Sequence, residues 1–197
     1  RDAGEKKFTL DSKFTFNAAI FNGTNIVTKF LKKQEAIRYI VFDQKATIIF
    51  DTTLNIKLQK PSEIPNEHTF KQTPFFAVNN QVVLDYLNSI SGGVNGNTIV
   101  GLTTDNKIWQ YSQQSSKPEN VQLLMADNKF IINSVQTYLP RNHFNDVNTA
   151  IQILSAQGAK MGEVNLYKND STSIYPISAD IQKNGIEVIS EFTTRIH

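Results

Sequence analysis

Cysteine is absent from the chain, and with it disulfide bridges, a thiol nucleophile and any zinc site built on thiolates. Histidine is scarce: His68, His143 and the final residue, His197. No two of them have the spacing of metal ligands, and no EF-hand loop is present. An excess of one charge is missing as well. Lys and Arg number 20 against 18 Asp and Glu, a net of +2, whereas a dedicated nucleic-acid binder carries a clustered basic excess. Finally, no apolar run approaches the roughly 20 residues that a transmembrane helix requires.

What is present is an ordinary globular composition, 40% hydrophobic and 19% charged over 197 residues. That suits one domain with a proper core, with a soft boundary near 113–120, where Gln, Ser and Pro replace apolar residues. The 20 Asn and 13 Gln are dispersed rather than tracted, which argues against prion-like low complexity. Residues 1–60 hold 11 basic and 6 acidic side chains, and the rest hold 9 and 12. The basic pairs Lys6-Lys7 and Lys32-Lys33 are too short for a phosphate-binding tract. The stretch starts at Arg1 rather than Met, as expected of a processed or excised product.

Alternation is the clearest structural signal. Phe8, Leu10, Phe14 and Phe16 share one parity, which reads as a half-buried strand. Ala46, Ile48, Phe50, Leu54, Ile56 and Leu58 share another over thirteen residues, an unusually long strand or a hairpin turning near Asp51. Further strands are expected at 36–42, 98–103, 107–112, 121–125, 129–138, 163–168, 173–177 and 186–192. Thr104-Asp105-Asn106 and Asn184-Gly185 have turn chemistry. Two segments have helical spacing instead. In Asn80–Ser91, Val83, Tyr86, Leu87 and Ile90 fall at i, i+3, i+4 and i+7, with Asn79 or Asn80 as cap. In Asn145–Gln157, Val147, Ala150, Ile151 and Leu154 do the same, with Gly158 as a left-handed stop. Asn25–Ile37 is open to a third helix. The expected fold is therefore β-rich α+β: antiparallel sheets, one long amphipathic strand, and two or three short helices packed on a sheet face. No internal repeat is visible.

Catalytic machinery is not evident, and no cofactor or metal is expected. No G-x-S-x-G elbow occurs, and His143 reads as a solvated loop residue ahead of a helix. The glycine-rich run Ser91–Asn97 follows an expected helix rather than preceding one, so it is a turn and not a phosphate cradle. Glu187 and Glu191 lie four apart on a strand and suit its outer face better than a glycosidase pair. Asn22-Gly23-Thr24 and Asn169-Asp170-Ser171 match the N-glycosylation pattern at about the chance rate for this composition. The candidate binding residues are Lys107, Trp109 and Tyr111, which share one strand parity; exposed aromatics there would stack on a sugar or anchor a protein.

These readings order the functional classes. First comes a non-enzymatic structural or assembly subunit, for instance of a viral or phage particle, partnered by itself or by other protein subunits. Second is a secreted or surface module that recognises a glycan or a protein. Third is a pore-forming toxin, since residues 46–58 have the length and period of a membrane-spanning β-strand. The expected location is extracellular or in a virion, not as an integral membrane protein, with no nucleic-acid partner.

Overall fold

The protein is described by a computed structural model covering residues 7–59, 75–91, 94–114, 119–141, 144–166 and 172–194. These residues form fourteen strands: β1 (Thr15–Asn22), β2 (Asn25–Lys32), β3 (Ala36–Phe42), β4 (Ile48–Leu54), β5 (Phe76–Val78), β6 (Val82–Ser91), β7 (Val94–Thr103), β8 (Ile108–Gln114), β9 (Glu119–Ala126), β10 (Phe130–Arg141), β11 (Phe144–Ser155), β12 (Lys160–Asn165), β13 (Thr172–Gln182) and β14 (Gly185–Thr194). They make four antiparallel sheets, each a run of consecutive strands: β1–β4, β5–β8, β9–β12 and the pair β13–β14. Among the described residues there is no helix.

The sheets stack face to face in chain order. On β6, Val83 and Leu87 pack on the first sheet, against Val27, Val41, Ile37 and Tyr39. Their neighbours Val82, Leu84 and Tyr86 point the other way and pack on Val121, Ile131, Val135 and Leu154 of the third sheet. On β7, Val100 and Leu102 face the first sheet and Ile99 the third. The fourth sheet follows: β13 lies against β9 and β11, and the Thr149 hydroxyl donates to the Ile174 carbonyl at 2.7 Å. First strands also sit side by side, β1 with β5 and β9 with β13. The second and third sheets meet through β7 and β9, and each four-stranded sheet is an antiparallel meander of consecutive strands.

This packing overturns the α+β expectation. Residues 80–91 and 145–157 are not helices but lie mainly in β6 and β11, the strands buried on both faces. A strand covered on both sides is apolar at most positions on either face, so a helical subset of its residues can be picked out. Asn79 and Asn80 are not caps: they take positive φ (48° and 56°) in the β5–β6 turn. Gly158 is left-handed, φ 81°, but it turns β11 into β12. The third helical option, Asn25–Ile37, is a hairpin: β2, then a turn with Lys33 at φ 48°, then β3.

Two strand readings change as well. The long alternating segment is strand only over Ile48–Leu54, and Asp51 pairs within it opposite Ile40 rather than turning. The linker after it, Asn55–Gln59, leaves the sheet and buries Ile56 against the second sheet. Phe8–Phe14 is not a strand either; β1 begins at Thr15. The Phe8 ring instead meets Phe30 and Phe42 edge-on at 6.2 and 5.7 Å. It thereby covers the outer face of the first sheet, where Ile40 is fully buried. In the last hairpin Gln182 pairs with Gly185, so Lys183-Asn184 forms the loop, one residue earlier than Asn184-Gly185. The boundary suggested near 113–120 brackets residues 115–118, which lie outside the described residues.

Candidate functional site

Three polar side chains meet in the apolar layer between the first two sheets. Lys29 on β2 and Tyr39 on β3 are register partners, so they share the inward face. Asp85 lies on the facing side of β6, between Val83 and Leu87, and is 2% exposed. The Lys29 ammonium reaches both carboxylate oxygens, at 2.8 and 2.7 Å, and the Tyr39 hydroxyl donates to Asp85 Oδ2 at 2.6 Å. Burial first, and then the charge and hydrogen bond of Asp85, hold the Tyr39 phenol well above its ordinary pKa. Phe75 closes one side. Its ring stacks on Tyr39 at 6.2 Å and lies 5.9 Å from the Lys29 nitrogen.

Beside this group is a cavity of about 430 Å³, within the size range of small-molecule sites. The linker after β4 helps to create it. Leu58 forms a bridge to Ser89, its N–H donates to the Gln34 carbonyl at 2.8 Å, and the Gln59 N–H donates to the Asn88 carbonyl at 3.0 Å. With this extra chain between them, the two sheets cannot close together along their whole length. Lys29 and Asp85 lie on the cavity lining. Amides form much of the remaining wall, from Asn17, Gln34, Gln59 and Asn88, with apolar surface from Leu31, Leu58, Phe75 and Leu87. Among the described residues the lining contains no Ser, Thr, Cys or His, and what they offer a ligand is hydrogen bonding and apolar contact.

The residues singled out from sequence lie elsewhere. Trp109 pairs with Gly101 across β7–β8, and its indole fills the space left by two glycines. A methyl group on Gly101 would lie 2.0 Å from Trp109 Cε2, and one on Gly158 would lie 2.3 Å from Cε3. Trp109 is half-buried against the core shared by the second and third sheets. Its Nε1 is buried with no hydrogen-bond partner among the described residues. Tyr111 is half-buried nearby, and its hydroxyl accepts from Gln152 Nε2 at 3.1 Å. Lys107 is not gathered with them. It is exposed in the β7–β8 turn, 2.6 Å from Asp105, and that hydrogen bond raises its pKa.

His68 and His143 lie outside the described residues, among which no group of three His, Asp or Glu could hold a metal ion. Of the glycine-rich run, Ser91 ends β6 and Val94–Asn97 begin β7, with Ser91 opposite Val94; Gly92 and Gly93 lie outside the described residues. Glu187 and Glu191 are exposed on β14. No helix among the described residues is long and apolar enough to cross a membrane.

Sequence reading missed Lys29, Tyr39 and Asp85. The signal was a charge inside an apolar strand, Asp85 within Val82–Leu87 and Lys29 within Ile26–Leu31. No protein-family model, curated protein or solved structure matches the chain.

Proposed function

We propose that the protein is a non-enzymatic recognition module whose ligand seats in the cavity between its first two sheets. The observation that carries this reading is the buried Lys29–Asp85 pair on the lining of that cavity, held from behind by the Tyr39 hydroxyl. A buried ion pair is no more stabilising than a well-packed apolar replacement, so stability alone gives little reason for one in an otherwise apolar layer. Convergent polar groups in an apolar concavity are the usual make-up of a ligand site. The test is amide chemical-shift mapping with a panel of millimolar probes: neutral and acidic sugars, amino acids, nucleosides and dicarboxylates. Binding should shift residues 29–34, 58–59 and 85–88 together. A panel that leaves all of these unmoved refutes the reading.

A second reading, an assembly subunit, draws on the two ends of the stack. Phe16 and Phe21 on the first sheet are 58% and 70% exposed, and Ile177 and Ile189 on the last are 49% and 59% exposed. Exposed apolar residues at the ends of a sheet stack are a natural place for further subunits to pack. Light scattering across a concentration series tests it, and a monomer at millimolar concentration refutes it.

A further inference from the structure

We infer that the ligand of the first cavity is hydroxyl-rich and carries a single negative charge, as an acidic sugar does; this rests on the cavity being a ligand site. Charge comes first. Three charged side chains line the cavity, Lys29, Asp85 and Lys33. Lys29 and Asp85 neutralise each other at 2.7 Å. Lys33 remains, held at the rim by the β2–β3 turn, and no carboxylate among the lining residues opposes it. Its neighbour Glu35 lies 3.5 Å from Lys32. Among the described residues the cavity therefore offers one uncompensated positive charge, on the exposed Lys33.

The walls fix the rest of the ligand. Each amide of Asn17, Gln34, Gln59 and Asn88 can donate and accept at once, as a hydroxyl can. Gln59 already donates to the Ser89 carbonyl at 3.3 Å, which leaves its own oxygen to accept. The side-chain amides of Asn17, Gln34 and Asn88 have no hydrogen-bond partner among the described residues. A ligand with several hydroxyls satisfies such a wall, whereas a purely apolar one would leave it dry and unpaired. Phe75 and Leu58 add an apolar surface on which the C–H face of a sugar ring can rest.

The experiment titrates glucuronate, glucose and acetate into the intact chain and into Lys33→Met, following the cavity amides by NMR at low salt. Glucuronate should bind at least about threefold more tightly than glucose, and the gap should narrow as added salt screens the exposed lysine. Lys33→Met should bind the two sugars alike, while Asn88→Leu should weaken both. An unchanged spectrum away from the turn shows that each variant is folded. Equal binding of glucose and glucuronate to the native chain overturns the charge assignment and leaves the recognition reading standing. So does acetate matching glucuronate, because charge alone would then suffice. If the sugars move nothing while another probe class moves the cavity amides, the ligand class is wrong. If no probe of any class moves them, the recognition reading falls as well.

Discussion

The Lys29–Asp85 pair makes a quantitative prediction because its two halves are buried together, with side chains 9% and 3% exposed. At an effective dielectric of about 20, charges 2.7 Å apart attract by about 6 kcal/mol. Desolvation costs several kcal/mol for each ion, so the intact pair nets close to zero. Removing one partner is different, since it leaves the other charge buried and unopposed. Lys29→Met leaves Asp85 with only the Tyr39 hydroxyl, and Asp85→Asn leaves the Lys29 ammonium facing a neutral amide. Each should lose about 3–5 kcal/mol. With a urea slope of about 2 kcal/mol per molar, the midpoint falls by about 1.5–2.5 M. The double variant Lys29→Met/Asp85→Asn carries no buried charge, and its amide oxygen can still accept from Tyr39. It should lie within about 1 kcal/mol of the native protein. Urea unfolding followed by Trp109 fluorescence and by circular dichroism measures all four chains. Additive losses, with the double variant as unstable as the two singles combined, would refute the view that an unopposed charge is the source of the cost.

Two further outcomes follow from other parts of the core. Gly101→Ala places a methyl group 2.0 Å from the Trp109 ring and should lower stability by about 1–3 kcal/mol with a shift in Trp109 emission; Gly185→Ala, with nothing within 4 Å, should do neither, and equal effects of the two on emission would contradict the cradle. Alkaline pH tests the buried phenols: burial raises the pKa of Tyr86, and burial with Asp85 raises that of Tyr39. Above pH 10 the unfolded chain releases these two protons while the folded chain retains them. Their contribution is thus complete below about pH 10 and declines above it by about 1.4 kcal/mol per pH unit for each tyrosine. Absorbance at 295 nm should show two phenols ionising only as the fold is lost; ionisation of all six tyrosines with the circular dichroism unchanged would be the contrary result.

How much of this could be read from the sequence depended on how many faces a strand buries. Residues 98–103, 121–125 and 186–192 were placed correctly within β7, β9 and β14. For β14 the reason is plain: exposed Glu187, Ile189 and Glu191 alternate with half-buried Ile186, Val188 and Ser190, the period-two signal itself. On β6 all of Val82–Leu87 is buried, so the alternation disappears and a helical spacing can be drawn through the remainder. The turn Thr104–Asn106 was legible from composition, and Asn106 does take positive φ. The cavity was not, because its residues come from five separated stretches of chain that only the stacking of two sheets brings together. Lys29 and Asp85 lie 56 positions apart, and neither has a local partner to announce the pair.

The polar contacts between layers also bear on how a stack of similar sheets finds one arrangement. Apolar faces slide against one another at little cost, because burial depends on area and not on register. The first two inter-sheet layers carry different polar keys. Between the first and second sheets the key is ionic, Lys29 and Tyr39 on Asp85. Between the second and third it is neutral: the Tyr86 hydroxyl donates to Asn133 Oδ1 at 2.5 Å, and Gln152 Nε2 donates to the Tyr111 hydroxyl at 3.1 Å and to Gln113 Oε1 at 2.7 Å. Asn133 and Gln152 are fully buried, so a slip of either sheet takes from Asn133 Oδ1 and Gln152 Nε2 their partners across the layer, at about 1–3 kcal/mol for each. Exchanging the layers would set Asp85 against amides and leave Lys29 unopposed. The two keys are not interchangeable, and each sheet accepts its own neighbour. The ionic key carries a further consequence: it keeps Lys29 and Asp85 where the linker after β4 holds the sheets apart, so the device that fixes the order of the first two sheets also furnishes part of the cavity wall.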